Sequence, residues 1–227
     1  DWMQDLLEWF DYYLLDKGEK PGLWVEIQTN QGQWRLEDRY PPEGMATLGL
    51  DLGGALMNVA GTTTILPNGA TGPVYETEPL EEDIWIAGLP RLHIDVTTAT
   101  VGGQIYALLE DCNENGSCIH IGHAIMDLRY HEGGTEEQTW LPLIETINAK
   151  MEFFSLDAQI SAGHTIKLSL ASTGEDYLPA STSSVVTIQE GAGSNLLLDL
   201  IDPSEKILFD PPKCTHTACT DWTNQTI

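Results

Sequence analysis

Six histidines, four cysteines and 35 acidic residues are the side chains here with chemistry to offer. One arrangement for a serine nucleophile sets it on a strained elbow, written G-x-S-x-G, with a base and a carboxylate beside it. No such pentapeptide occurs in the chain. His164 stands in Ala162-Gly163-His164-Thr165, where a turn histidine that bonds backbone is the expectation and a catalytic base the alternative. His120 and His123 are three apart on one predicted strand, so they are expected on opposite faces, unsuited to a shared metal. Paired carboxylates at Glu81-Glu82-Asp83, Glu110-Asp111 and Glu136-Glu137 have the chemistry to hold calcium. Asp111, Asn113, Asn115 and Gly116 begin an EF-hand pattern, but its closing position holds Gly122 instead of Glu. With so many acids, solvated surface charge is the expectation. No cofactor is expected, calcium being the one ion the carboxylates would suit.

The cysteines fall in two close pairs, Cys112 with Cys118 and Cys214 with Cys219, each in a polar stretch. An even count in local pairs points to two small disulfide loops and an oxidising compartment. Free thiols, or a zinc site completed by His120 or His216, are the alternatives. Asn115-Gly116-Ser117 and Asn224-Gln225-Thr226 match the glycosylation acceptor pattern beside those cysteines. Together these features point to an extracellular or cell-surface location.

The net charge of −25, from 35 acidic and 10 basic residues, argues against nucleic-acid and anionic-membrane partners, which need clustered Lys and Arg. It favours solubility and repels copies of the chain at low salt. No run of 18 apolar residues is present, so no membrane insertion is expected. No secretory signal opens the chain, and residue 1 reads as a processed end or an internal start.

These side chains sit on a frame of strands. In the stretch 77–97, Ile84-Trp85-Ile86 stops at Ala87-Gly88. After Pro90, Leu92, Ile94 and Val96 alternate with Arg91, His93 and Asp95. The spacing predicts two short strands meeting at a glycine corner, where a strand changes sheet or direction. In 153–172, Phe154, Leu156, Ala158 and Ile160 alternate, Ala162-Gly163 turn, and Ile166, Leu168 and Leu170 alternate again, which predicts one hairpin. Strands are expected near 83–98, 103–111, 119–130, 137–146, 151–160, 165–171, 183–190 and 195–200, the recurrence of a sandwich. Residues 43–76 read as short strands and long loops. Trp24, Trp34, Trp85, Trp140 and Trp222 would bind sugars if exposed, and core packing is the default for each.

One helix is expected, over residues 1–16. Asp1 and Asp5 favour its start, and Lys17-Gly18 its end. Trp2, Leu6, Trp9, Phe10, Tyr13 and Leu14 follow helical spacing, while Leu7, Tyr12 and Leu15 spread the apolar surface to other faces. A helix apolar on several sides is normally buried by several neighbours. Trp2, Leu6, Leu7, Phe10 and Tyr13 are therefore the candidate interface. A hairpin follows from Pro21-Gly22, with its turn at Asn30-Gln31-Gly32.

Four phrases, in order, resemble the C-terminal part of the X-prolyl dipeptidyl peptidase and cocaine esterase family of serine hydrolases. They are Trp9-Phe10-Asp11-Tyr12-Tyr13-Leu14, the phrase EPLEEDIWIAGLPRL at 78–92, GHAIMDLRY at 122–130 and AGHTIKLSLAS at 162–172. The resemblance implies an all-β, jelly-roll (galactose-binding-like) sandwich with one N-terminal helix, following an α/β-hydrolase domain. It implies a helix and hairpin at 1–42 resembling the hydrolase end and linker, a sandwich at 43–202 and a Cys-containing tail at 203–227. The family's catalytic residues all precede its Trp-Phe-Asp helix, so no catalytic residue carries over. The expected function is a non-catalytic accessory domain of an exported hydrolase, partnered by the hydrolase domain or by other copies of the chain. A self-assembling structural subunit and a carbohydrate-binding module are the alternatives.

Overall fold

A computed structural model describes residues 2–22, 25–67, 72–131, 140–174, 177–180, 184–202, 204 and 208. Cys214, Cys219, Asn224, Trp24, Trp222, His216, Glu136 and Glu137 lie outside the described residues, as does the side chain of Trp2. The chain divides into two compact units, one of Asp1–Tyr40 with Lys206–Ile227 and one of Pro41–Glu205.

The first unit holds α1 (Trp2–Leu15) and a hairpin of β1 (Val25–Gln28) and β2 (Trp34–Glu37). The helix ends one residue earlier than Lys17-Gly18 suggests, because Asp16 itself takes the left-handed conformation (φ 51°). The hairpin closes where Thr29 N–H donates to Gln33 O (2.8 Å) and Gly32 turns with φ 82°. Arg35 is fully buried and its Nε donates to Glu37 Oε1 at 2.8 Å.

The second unit is a sandwich. Its strands are β3 (Ala46–Asp51), β4 (Met57–Asn58), β5 (Thr64–Ile65), β6 (Val74–Glu76), β7 (Ile84–Gly88), β8 (Arg91–Thr98), β9 (Gln104–Cys112) and β10 (Cys118–Asp127). After a short 3-10 helix (Leu128–Tyr130) come β11 (Ile147–Glu152), β12 (Leu156–Ile160), β13 (Thr165–Ala171), β14 (Val186–Gln189) and β15 (Asn195–Leu200). One sheet has the order β10-β9-β13-β6-β4. In the other, β7 and β8 follow one another along β15, with Leu200 opposite Ile86 and Leu197 opposite Arg91. On their other side β12 and β11 do the same. β14 continues the line of β15 along β8, and β3 and β5 pair with β15 and β14. The second sheet thus consists of four long, interrupted strands.

Strict alternation builds the core. Leu92, Ile94 and Val96 of β8 and Ile166, Leu168 and Leu170 of β13 are buried, with partly exposed residues between them. They join Ile105, Ala107, Leu109, Ala158, Ile160, Leu196 and Leu198 in one apolar cluster. The fold is therefore the all-β sandwich with one N-terminal helix that the strand pattern and the resemblance lead one to expect.

Three local expectations are corrected. At Gly88 (φ 102°) the chain neither changes sheet nor reverses, and β8 prolongs β7 in the same sheet. The pair β12–β13 is not a hairpin: β12 belongs to one sheet and β13 to the other, so the turn at 161–164 crosses the sandwich. Alternation is the same in both arrangements, and the partners that decide between them are distant in sequence. Residues 140–146, the described part of the strand expected at 137–146, form no strand, and the 151–160 segment splits into β11 and β12.

Candidate functional site

Polar and aromatic side chains gather on the outer face of the β9–β10 hairpin. His120 pairs with Glu110 and Gly122 with Leu109, so Ile121 is one extra residue in β10. A bulge of this kind inverts the side-chain parity beyond it. His120 and His123, expected on opposite faces, therefore share one face. His123 Nδ1 stands 3.2 Å from His120 Nε2, and His123 Nε2 lies 2.9 Å from the Tyr177 hydroxyl. Tyr106, Tyr177 and Phe154 surround the His123 ring at centroid distances of 5.8, 5.7 and 5.0 Å. A side chain at Gly174 would stand 2.6 Å from the Tyr106 ring, so glycine lets this segment lie against that ring and deliver Tyr177. Opposite His120, Glu110 Oε2 accepts from Lys167 Nζ at 2.9 Å.

His164 does not bond backbone through its ring. Its Nδ1 lies 2.7 Å from Oδ1 of Asp111, which is buried. Its backbone carbonyl accepts from Leu80 N–H (2.8 Å). The pair ties the end of β9 to the crossing turn. Beside it, Cys112 and Cys118 form a disulfide across the first register pair of the hairpin. The intervening turn is closed by Asn113, whose Oδ1 accepts from the N–H groups of Asn115 (3.0 Å) and Ser117 (3.1 Å). Asp111 and Asn113 are thus engaged within the protein, in a loop whose EF-hand pattern already lacks its closing Glu. Asn115 is exposed at the tip.

The other candidates are dispersed. Asp83 Oδ1 accepts from Ala162 N–H (2.7 Å) beside the crossing turn. Among the described residues no three His, Cys, Asp or Glu side chains converge as a metal site would need. Trp85 is buried and donates to Asp157 Oδ1 (2.8 Å), Trp34 is half-buried, and Trp140 is 61% exposed with the Arg129 guanidinium 5.9 Å from its ring centre. Asp127 caps the 3-10 helix and bonds the Arg129 guanidinium. Burial pushes the Asp127 carboxyl up, but the bonds and charge of Arg129 outweigh it and hold the group below the usual range. Burial, with Lys150 and Arg91 nearby, pushes the His93 ring below its ordinary value. Burial, then Glu190, pushes the Tyr75 phenol up.

Along α1, Leu6, Leu7, Trp9, Phe10, Tyr13, Leu14 and Leu15 are all exposed, between 37% and 69%. The Trp9 and Tyr13 rings lie tilted against one another with centroids 4.7 Å apart. Tyr12 is half-buried and Tyr13 exposed. Among the described residues no helix is long and apolar enough to cross a membrane.

Comparison with known proteins agrees with this architecture. The family model of the X-Pro dipeptidyl-peptidase C-terminal non-catalytic domain matches residues 16–197. No curated protein matches the chain. A CocE/NonD family hydrolase from Staphylococcus aureus superimposes with a TM-score of 0.65 at 13% identity, covering 88% of this chain and 46% of its own. An aminopeptidase from a marine sediment Thaumarchaeota archaeon gives 0.63 at 14% identity, covering 88% and 43%. An alpha-amino acid ester hydrolase gives 0.51 at 14% identity, covering 82% and 37%. The chain therefore spans less than half the length of these structures.

Proposed function

Because this chain belongs to the family of X-Pro dipeptidyl-peptidase C-terminal non-catalytic domains, we propose that it serves as the accessory domain of an exported serine hydrolase of the X-prolyl-peptidase and esterase type. Its part is to cap the hydrolase domain, shape access to the substrate and hold contacts with that domain or with a second copy of the chain. The observation that carries this reading is α1, with seven large apolar side chains exposed along 14 residues. Burying one such side chain is worth about 1.5–3 kcal/mol, so a row of them left in water favours a partner. The chain itself offers no G-x-S-x-G elbow for hydrolysis.

Two measurements test this. The isolated chain is expected to turn over neither chromogenic Xaa-Pro substrates nor short-chain esters above a heat-killed control. Light scattering should give a mass above one chain. Self-association should strengthen with salt, which screens the repulsion of a net charge of −25. A monomer across the whole salt series, with α1 protected from hydrogen exchange, overturns the reading. Export is supported by the Cys112–Cys118 disulfide and the exposed acceptor Asn115. A glycan on the Asn115 peptide of native material is the expected mass-spectrometric result, and an unmodified peptide counts against it.

A further inference from the structure

We propose that His120 and His123 form a two-imidazole binding site for a late first-row divalent cation such as Cu²⁺, Ni²⁺ or Zn²⁺, with solvent completing the coordination. The distance is the first ground. Nitrogens about 2.0–2.1 Å from one ion stand about 2.9 Å apart in a square-planar arrangement and about 3.3 Å apart in a tetrahedral one. Nδ1 of His123 and Nε2 of His120 stand 3.2 Å apart, between those values. The second ground is orientation. Tyr177 holds His123 Nε2 at 2.9 Å, which turns Nδ1 toward His120, and Tyr177 is itself delivered by the close approach of Gly174 to Tyr106. A partner on the far nitrogen of an imidazole ligand sets its tautomer and aim. The third ground is access, for His120 is exposed while the bulge at Ile121 keeps both rings on one face.

Protons balance without an outside acid or base. Between two neutral rings 3.2 Å apart, one nitrogen carries the shared hydrogen. If His123 Nδ1 carries it, the hydrogen moves to Nε2, which then donates to the Tyr177 oxygen. If His120 Nε2 carries it, the hydrogen moves to Nδ1 of the same ring. Either way both facing nitrogens present lone pairs to the ion. Imidazole pairs select copper, nickel and zinc over calcium and magnesium, which prefer oxygen. Glu110 opposite is engaged by Lys167, so the imidazoles lead. The acidic chain raises the local concentration of cations around them.

The test is calorimetric titration of the whole chain with Cu²⁺, Zn²⁺ and Ca²⁺ at neutral pH. Copper is expected to bind more tightly than zinc, with calcium inert at this site. The Tyr177→Phe variant should weaken zinc by about tenfold, as loss of an orienting partner does. His120→Gln and His123→Gln should each weaken it further, and His164→Gln should leave it unchanged. On adding Cu²⁺, the ring signals of His120 and His123 should broaden in NMR before those of His93 and His131. His120→Gln carries the test alone if His123→Gln does not fold, since His120 packs least. Unaltered copper and zinc affinity in His120→Gln, or broadening that begins elsewhere, overturns the site. An unchanged Tyr177→Phe overturns the orienting role of that hydroxyl.

Discussion

The sandwich and α1 carry similar side chains and treat them in opposite ways. In β8, Leu92, Ile94 and Val96 have no exposed surface at all, because the β10-β9-β13-β6-β4 sheet supplies a facing layer. In α1 the large apolar residues from Leu6 to Leu15 other than Tyr12 are exposed. Period-2 alternation in two sheets is self-complementary, since each inner face is the other's cover. One helix with apolar side chains on several faces has no such complement in itself. The lesson is that one part of this chain closes its own hydrophobic account, whereas the other leaves its apolar side chains exposed.

That contrast is easiest to break in the core. Ile94→Ala should cost about 2–5 kcal/mol in chemical denaturation, the usual range for a buried aliphatic truncation. A loss under about 1 kcal/mol would mean that the sandwich core is loosely packed after all. At the sandwich edge the effect should be smaller. Replacing Cys112 and Cys118 together by serine opens a loop six residues in separation, with an expected cost of about 2 kcal/mol. Peptide mapping without reductant should first find these two cysteines joined to each other.

A third measurement separates charge from packing. The folded state holds the Asp127 carboxyl below its ordinary range. Its contribution is therefore present at neutral pH and lost as pH falls below about 4, where the unfolded carboxyl takes its proton first. Asp127→Asn should cost about 1–2 kcal/mol at pH 7, and the cost should shrink as pH falls below about 4. His93, also depressed, adds a loss with the same sign that begins higher, as pH falls through about 6.5. His93→Gln should flatten that first part of the acid limb. The smallest effect belongs to α1. Leu7→Gln with Leu14→Gln keeps helix propensity and should change sandwich stability by less than about 0.5 kcal/mol. The same pair should abolish association in light scattering. A large loss of stability without any change in mass would remove the contrast between the two regions.

Much of the architecture was legible from local pattern. The β13 and β15 bounds at 165–171 and 195–200 follow from alternation alone. The α1 helix, the β1–β2 hairpin and the Cys112–Cys118 loop follow from spacing and turn residues. The four family phrases then pointed to a jelly roll that carries no catalytic triad of its own. What stayed illegible depended on register and on partners far away in the chain. The crossing at 161–164 looks like a hairpin because β12 and β13 alternate alike, and only β7 on one side and β9 on the other separate them.

The candidate site divides in the same way. Residue types and strands were determined by the sequence itself: two histidines three apart, a histidine after Ala-Gly, an acid before a cysteine. The tertiary structure decided their company. One extra residue at Ile121 reversed the parity that strand geometry assigns, and so brought His120 and His123 to one face. Tyr177 reaches His123 from 54 residues away, and Asp111 meets His164 across 53. Side-chain type and local period are properties of neighbouring residues, and short-range energetics record them. A bulge, a crossing between sheets and a hydrogen bond over fifty residues are settled by the packing of the whole sandwich.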